Sequence, residues 1–181
     1  MSPAATPGQT IGPFYGYALP FPDGDRLVPL SHPQAVRLHG RVLDGEGRPV
    51  PDALLEIWQA DADGAVAREP GSLRRDGWTF TGWGRTPTDD TGRYAFTTVV
   101  PGAADHRAPF IAMTVFARGL LNRLFTRVYL PVPGADLTHD PLLASLPPDR
   151  RDTLVATPDA TGFVFDVILQ GDRETVFLTH G

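Results

Sequence analysis

The sequence contains no cysteine and no lysine. The absence of cysteine excludes disulfides, thiolate zinc sites, iron–sulfur clusters and cysteine nucleophiles together. The absence of lysine excludes Schiff-base chemistry and a phosphate-binding P-loop. All 16 strongly basic residues are therefore arginines, set against 21 acidic ones, for a formal net charge of -5. With a pI of about 5.4 the chain offers no basic stripe to follow a phosphate backbone, so nucleic acid is not an expected partner. Long apolar runs are missing too. The longest stretch, Ala108 to Ala117, is interrupted and too short to cross a bilayer, so no membrane association is expected. The opening Met1-Ser2-Pro3-Ala4-Ala5-Thr6-Pro7 has neither a basic start nor an apolar core. No signal peptide is read there, and the expected location is the cytoplasm.

What is present suits one domain. A chain of 181 residues with 41% hydrophobic and 20% charged residues can bury a sizeable core. Its 19 glycines and 19 prolines argue for many turns and against a helical bundle. Residues 1–35 are punctuated by seven prolines, Pro3, Pro7, Pro13, Pro20, Pro22, Pro29 and Pro33, and read as an extended arm. The arm also carries Ile11, Phe14, Tyr15, Tyr17, Leu19 and Phe21. A free tail does not normally expose so many large apolar groups, so the arm is expected to lie against a partner chain.

From Val36 the pattern has period two. Val36, Leu38 and Val42 share one face, and Arg37, His39 and Arg41 the other, the mark of a half-buried strand. Asp44-Gly45-Glu46-Gly47 and Asp89-Asp90-Thr91-Gly92 are turn sequences. Further strands are expected at 53–59, 93–99, 110–117, 124–130, 163–170 and 174–178. Asp140-Pro141 predicts a helix N-cap with proline at the first helical position, and a second short turn is expected over 149–154. Residues 36–181 thus read as an all-β sandwich with a short helical insertion.

Spacing alone shows no active site. His32, His39, His106, His139 and His180 are dispersed, and each reads as a surface or interface residue. Neither a Gly-x-Ser-x-Gly nor a Gly-x-Gly-x-x-Gly occurs. Most acidic residues sit in turns.

Three longer blocks carry more. Gly40-Arg41-Val42-Leu43-Asp44-Gly45-Glu46-Gly47-Arg48-Pro49-Val50, Leu55-Glu56-Ile57-Trp58-Gln59-Ala60, and Gly84-Arg85-Thr86 with Thr88-Asp89-Asp90-Thr91-Gly92-Arg93-Tyr94-Ala95-Phe96 together resemble the core of the intradiol ring-cleaving dioxygenases. The arm segment Thr6 to Phe14, the strand Leu124-Phe125-Thr126-Arg127-Val128-Tyr129 and the ending Gln170 to Phe177 extend the likeness nearly end to end. The resemblance implies a single-domain β-sandwich of the intradiol type. It also implies a ferric centre held by two tyrosines and two histidines, the histidines two apart on one strand, where period two puts both rings on one face.

This chain departs from that pattern. The four ligand positions fall at Val66, Ala104, Phe110 and Ala112, which offer no donor atom. Tyr94 fits the strand pattern and is expected in the core, its phenol seeking a hydrogen bond. The resemblance therefore implies a chain without metal or catalytic residues of its own. It would pair with a homologous β chain that binds Fe(III), complete a pocket for a small aromatic substrate, 3,4-dihydroxybenzoate, and assemble into a larger αβ oligomer. Thr10, Gly12, Pro13 and Phe14 would border the pocket, and Arg127 would face the substrate carboxylate or else lie solvated on a strand. Arg107, beside the lost site, would be structural. A second resemblance stays open, to transthyretin-like and carboxypeptidase-regulatory-like sandwiches, which would make the chain a structural or binding module.

Overall fold

A computed structural model describes residues 10–12, 14–68, 75–103 and 108–179. Its elements in chain order are α1 (Tyr15–Ala18), β1 (Val36–Leu43), β2 (Leu54–Trp58), β3 (Trp83–Pro87), β4 (Arg93–Thr98), β5 (Phe110–Phe116), β6 (Leu124–Tyr129), α2 (Pro141–Ser145), α3 (Pro148–Asp152), β7 (Thr157–Pro158), β8 (Gly162–Val164) and β9 (Val167–Ile168). One sheet runs β4-β1-β8-β7, with β9 also on β1; the other runs β3-β2-β5-β6. The first mixes an antiparallel β1–β4 pair with parallel pairing of β1 to β8 and β9. The second is antiparallel throughout.

Alternation of apolar residues places the core between the sheets. Leu38 and Val42 from β1 meet Leu55 and Ile57 from β2, Phe96 from β4, and Ile111, Met113 and Val115 from β5. Tyr94 lies in this core, as expected, and its hydroxyl donates to the Phe165 carbonyl at 2.5 Å. Gln59 bridges the layers: its amide nitrogen donates to the Val99 carbonyl at 2.9 Å and its oxygen accepts from the Thr98 hydroxyl at 2.7 Å. A second cluster of Tyr129, Leu143 and Leu154 seats α2 and the segment just after α3 on the end of β6. The α2 cap is the predicted one, with the Asp140 carboxylate accepting from the Leu142 and Leu143 amides ahead of Pro141.

Three differences from the sequence reading have local causes. The arm includes the four-residue helix α1. The strand expected over 163–170 is broken in two, because the Arg41 amide donates to the Asp166 carboxylate at 2.8 Å instead of continuing the ladder. The segment 174–178 is not a strand. It keeps backbone bonds from the Thr175 amide to the Ile168 carbonyl and from the Leu178 amide to the Phe125 carbonyl, but between them threonine hydroxyls intervene: Thr175 Oγ1 accepts from the Ile168 amide at 2.9 Å and Thr126 Oγ1 donates to the Val176 carbonyl at 2.8 Å.

The turn aspartates also make a prediction. Asp44 and Asp89 each accept two backbone N–H bonds across their turns. Gly92 closes the second turn at φ +71°, a conformation that side chains rarely adopt. Bonds from Thr79 and from Thr138 hold Asp76 and Asp136 down to about 2, from an ordinary 3.8. The lowered value means these carboxylates favour the folded state above about pH 4 and lose that contribution as pH falls toward 2. Urea midpoints are therefore expected to be level from pH 7 to about pH 5 and to drop below about pH 4. A midpoint unchanged down to pH 2 would count against this.

Candidate functional site: the outer face of the β3-β2-β5-β6 sheet

Cross-strand neighbours in an antiparallel sheet share a face. The register therefore lays out rows on the side away from the core. One row is Trp83, Trp58, Ala112 and Arg127; the next is Arg85, Glu56, Thr114 and Phe125; Phe110 stands opposite Tyr129. Trp58 remains 45% exposed in the first row, which leaves an aromatic surface open beside Ala112.

The second row is tied to the arm. Arg85 Nε and Nη2 donate to Glu56 Oε1 at 2.8 and 2.5 Å, and Nη1 donates to the Leu19 carbonyl at 2.9 Å, just beyond α1. Arg85 also stacks on Trp83, which in turn stacks on Phe21 at 5.6 Å and 9°. At the far end of β5, Tyr15 packs on Phe116, and the Ile11 amide donates to the Leu120 carbonyl at 3.3 Å. Burial, and then the nearby Asp52 carboxylate, push the Tyr15 hydroxyl up to about 12. Asp52 is itself paired with Arg118 at 2.9 Å.

Arg127 has a different setting. Its guanidinium lies over the Phe110 ring, 4.1 Å from the centroid, and Nη1 donates to the Tyr129 hydroxyl at 3.3 Å. That hydroxyl donates to Asp140 Oδ1 at 2.9 Å. Burial is the main cause that pushes Tyr129 up to about 12, so it remains a neutral phenol at any ordinary pH.

The sequence-predicted positions divide as follows. Thr10 and Gly12 are exposed and Phe14 is 80% exposed, all on the anchored arm; Pro13 lies outside the described residues. The arm is fastened near Phe116 and Leu120, whereas Arg127 stands opposite Ala112. Four residues of β5, about 13 Å, separate the Phe116 anchor from the level of Arg127. Among the ligand positions, Phe110 and Ala112 share the outer face with Arg127, and Val66 bridges to Ala60 just past β2. Ala104 and Arg107 lie outside the described residues, as do His106 and His180. The three described positions carry only hydrocarbon side chains. Among the described residues no group of three or more histidines, cysteines or carboxylates could hold a metal ion. These three positions offer no oxygen or nitrogen donor to a ferric ion.

Sequence reasoning misses the partners of Arg127. In the sequence Tyr129 stands only as part of a strand block, and Asp140 only as a helix cap. The available signal is that Arg127 and Tyr129, two apart on a strand, must share a face.

Comparison with known proteins identifies the family. A family model described as Dioxygenase matches residues 12–171. The protocatechuate 3,4-dioxygenase alpha chain of Burkholderia cepacia is 41% identical over 191 residues, 95% of each chain. The alpha chain of Pseudomonas putida is 36% identical, over 95% of this chain and 94% of that one. The beta chain from Burkholderia cepacia is 34% identical, over 85% of this chain and 68% of its own. Among solved structures, the dioxygenase domain of a dioxygenase–carbohydrate-binding fusion from Streptomyces sp. SirexAA-E superposes with a TM-score of 0.59 at 24% identity, covering 93% and 97% of the two chains. That likeness, being under 25% identical, concerns the fold. The family model spans residues 12–171 and the two alpha-chain matches each cover 95% of this chain, and so the chain belongs to the intradiol dioxygenase family.

Proposed function

We propose that this chain is the α subunit of a protocatechuate 3,4-dioxygenase, working with a homologous β chain that holds the Fe(III). The complex would open the ring of 3,4-dihydroxybenzoate between its two hydroxylated carbons, incorporating both atoms of O2 to give 3-carboxy-cis,cis-muconate, in aromatic catabolism by the β-ketoadipate route. The observation that carries this reading is the chemistry at the ligand positions. Val66, Phe110 and Ala112 have no donor atom in a chain that otherwise matches an alpha chain over 95% of its length.

The work left to this chain is physical. The arm, residues 1–35, packs Tyr15, Phe21 and Leu27 on this chain's own sheets; through its exposed groups it would meet the β chain and supply a wall of the substrate pocket with Thr10, Gly12, Pro13 and Phe14. Thr10 offers a hydroxyl. Gly12 has open space where a side chain would stand, with no atom within 4 Å, so its backbone can approach a ligand closely. Arg127 would meet the substrate carboxylate by a charge-assisted contact. Closing the pocket excludes water and strengthens that contact. Residues 36–181 would form the sandwich that carries both, and αβ pairs would build the larger oligomer. Among the described residues no helix is long and apolar enough to cross a membrane; a cytoplasmic location is part of the proposal.

Purification tests this directly. Expressed alone, the chain is expected to be colourless, without stoichiometric iron and inactive, since tyrosinate bound to ferric iron would give a strong visible band. Co-expressed with its β chain, it is expected to yield a stable heteromer active on protocatechuate. A fully active β chain that does not bind this one would overturn the proposal.

A further inference from the structure

We infer that the outer face of β5 and β6 forms a cradle that aims Arg127, with Phe110 as its floor and the Tyr129 hydroxyl, held by Asp140, as its stop. The inference rests on the proposed reading of Arg127 as the group that meets the substrate carboxylate. It adds three positioning residues to that reading.

The geometry is specific. A long arginine side chain is flexible, and a contact to substrate is strong only if its rotamer is already set. Here the guanidinium is held on two sides. Its central carbon lies 4.1 Å from the Phe110 centroid, within the range where the electron-rich ring face attracts a cation. Its Nη1 reaches the Tyr129 hydroxyl at 3.3 Å. That hydroxyl has one proton, and it is directed to Asp140 Oδ1 at 2.9 Å, so the lone pairs left over face Arg127. Asp140 cannot swing. Its Oδ1 also accepts from the Leu142 and Leu143 amides at 3.0 and 3.2 Å, and the residue is fully buried. The orientation of Arg127 is thus traced back to the N-cap of α2. The arginine keeps its other N–H donors for a ligand.

Steady-state kinetics of the αβ complex tests the cradle, with protocatechuate as substrate and uncharged catechol as control. Iron content and gel filtration report assembly. Tyr129→Phe and Phe110→Leu are each expected to lower kcat/KM for protocatechuate about threefold to tenfold, with catechol changed less than about twofold. In an Arg127→Ala background neither substitution is expected to add a loss, because there is nothing left to aim. If Arg127→Ala is selectively impaired on protocatechuate while both cradle variants behave as wild type, the cradle is wrong and the proposed role of Arg127 stands. If Arg127→Ala lowers both substrates equally, or neither, the role of Arg127 falls and the cradle with it. Should Tyr129→Phe fail to assemble, Phe110→Leu decides by the same criteria, since Phe110 is only partly buried.

Discussion

Deleting residues 1–16 is expected to reduce turnover by the αβ complex about a hundredfold, the scale of loss when a positioning wall is removed and the substrate is misplaced. Iron in the β chain should be retained, because this chain contributes no ligand to it under the proposed function. The deletion removes Thr10 to Phe14 and also Tyr15, whose packing on Phe116 fastens the arm at the end of β5. The remaining ties, from Arg85 to the Leu19 carbonyl and from Phe21 to Trp83, lie on the other side of α1 and would survive. The rest of the chain should therefore fold. The physical signature of the arm's role is its exposed apolar surface. Phe14 and Tyr17 are each 80% exposed although the arm around them is anchored, and such groups are normally covered by a partner. The measurement is kcat and KM on protocatechuate with metal analysis and gel filtration of the same preparation. A truncated complex that assembles and turns over normally would remove the pocket assignment of Thr10, Gly12, Pro13 and Phe14.

The second large effect is on stability. Gly40→Ala is expected to destabilise the fold by about 3 kcal/mol or more, a large share of the total for a domain of this size. Gly40 lies mid-strand in β1, opposite Tyr94 in β4. A Cβ there would stand 2.0 Å from the Phe165 carbonyl oxygen and 2.6 Å from its carbon. The obstacle is backbone and cannot rotate away. It is also the carbonyl that accepts the Tyr94 hydroxyl, and it stands next to Asp166, which takes the Arg41 amide. Moving it breaks both bonds. Denaturant unfolding of the single chain and of the complex should show the shift. By contrast Gly47→Ala meets no atom within 4 Å and strains only its own turn, at φ +78°, so it should cost less. Equal stability of Gly40→Ala and wild type would show that β8 and β9 can move off β1.

Much of this arrangement is legible from residue order. Alternation around Leu38 and Val42 announces β1 and its buried face, and Asp140-Pro141 announces α2, because period and capping are local properties. The split of the 163–170 strand is not legible. Its cause is one side chain, Asp166, reaching an amide 125 residues away. The strand expected over 174–178 is reduced to a bridge of Leu178 to Phe125 for a similar reason: Thr126, Thr153 and Thr175 hydroxyls interrupt the ladder, and no propensity encodes that. β3 escapes notice because its Trp83-Gly84-Arg85-Thr86-Pro87 has no simple alternation.

The same division holds for the site. Which side chains stand at Val66, Ala104, Phe110 and Ala112 is a matter of sequence alone, and none of them carries a donor atom; that these are the family's metal positions is part of the proposal. The presence of one arginine on the strand after them is a matter of sequence too. What that arginine does depends on tertiary structure. Pairing of β5 with β6 sets Phe110 opposite Tyr129 and Ala112 opposite Arg127, and packing of α2 against the end of β6 brings Asp140 to the tyrosine. These groups are separated by up to 30 residues of chain between Phe110 and Asp140. Composition can say that a cation is available. Only the register of two strands and the seating of one short helix decide where it points, because hydrogen-bond direction and ring-face contact are properties of positions in space.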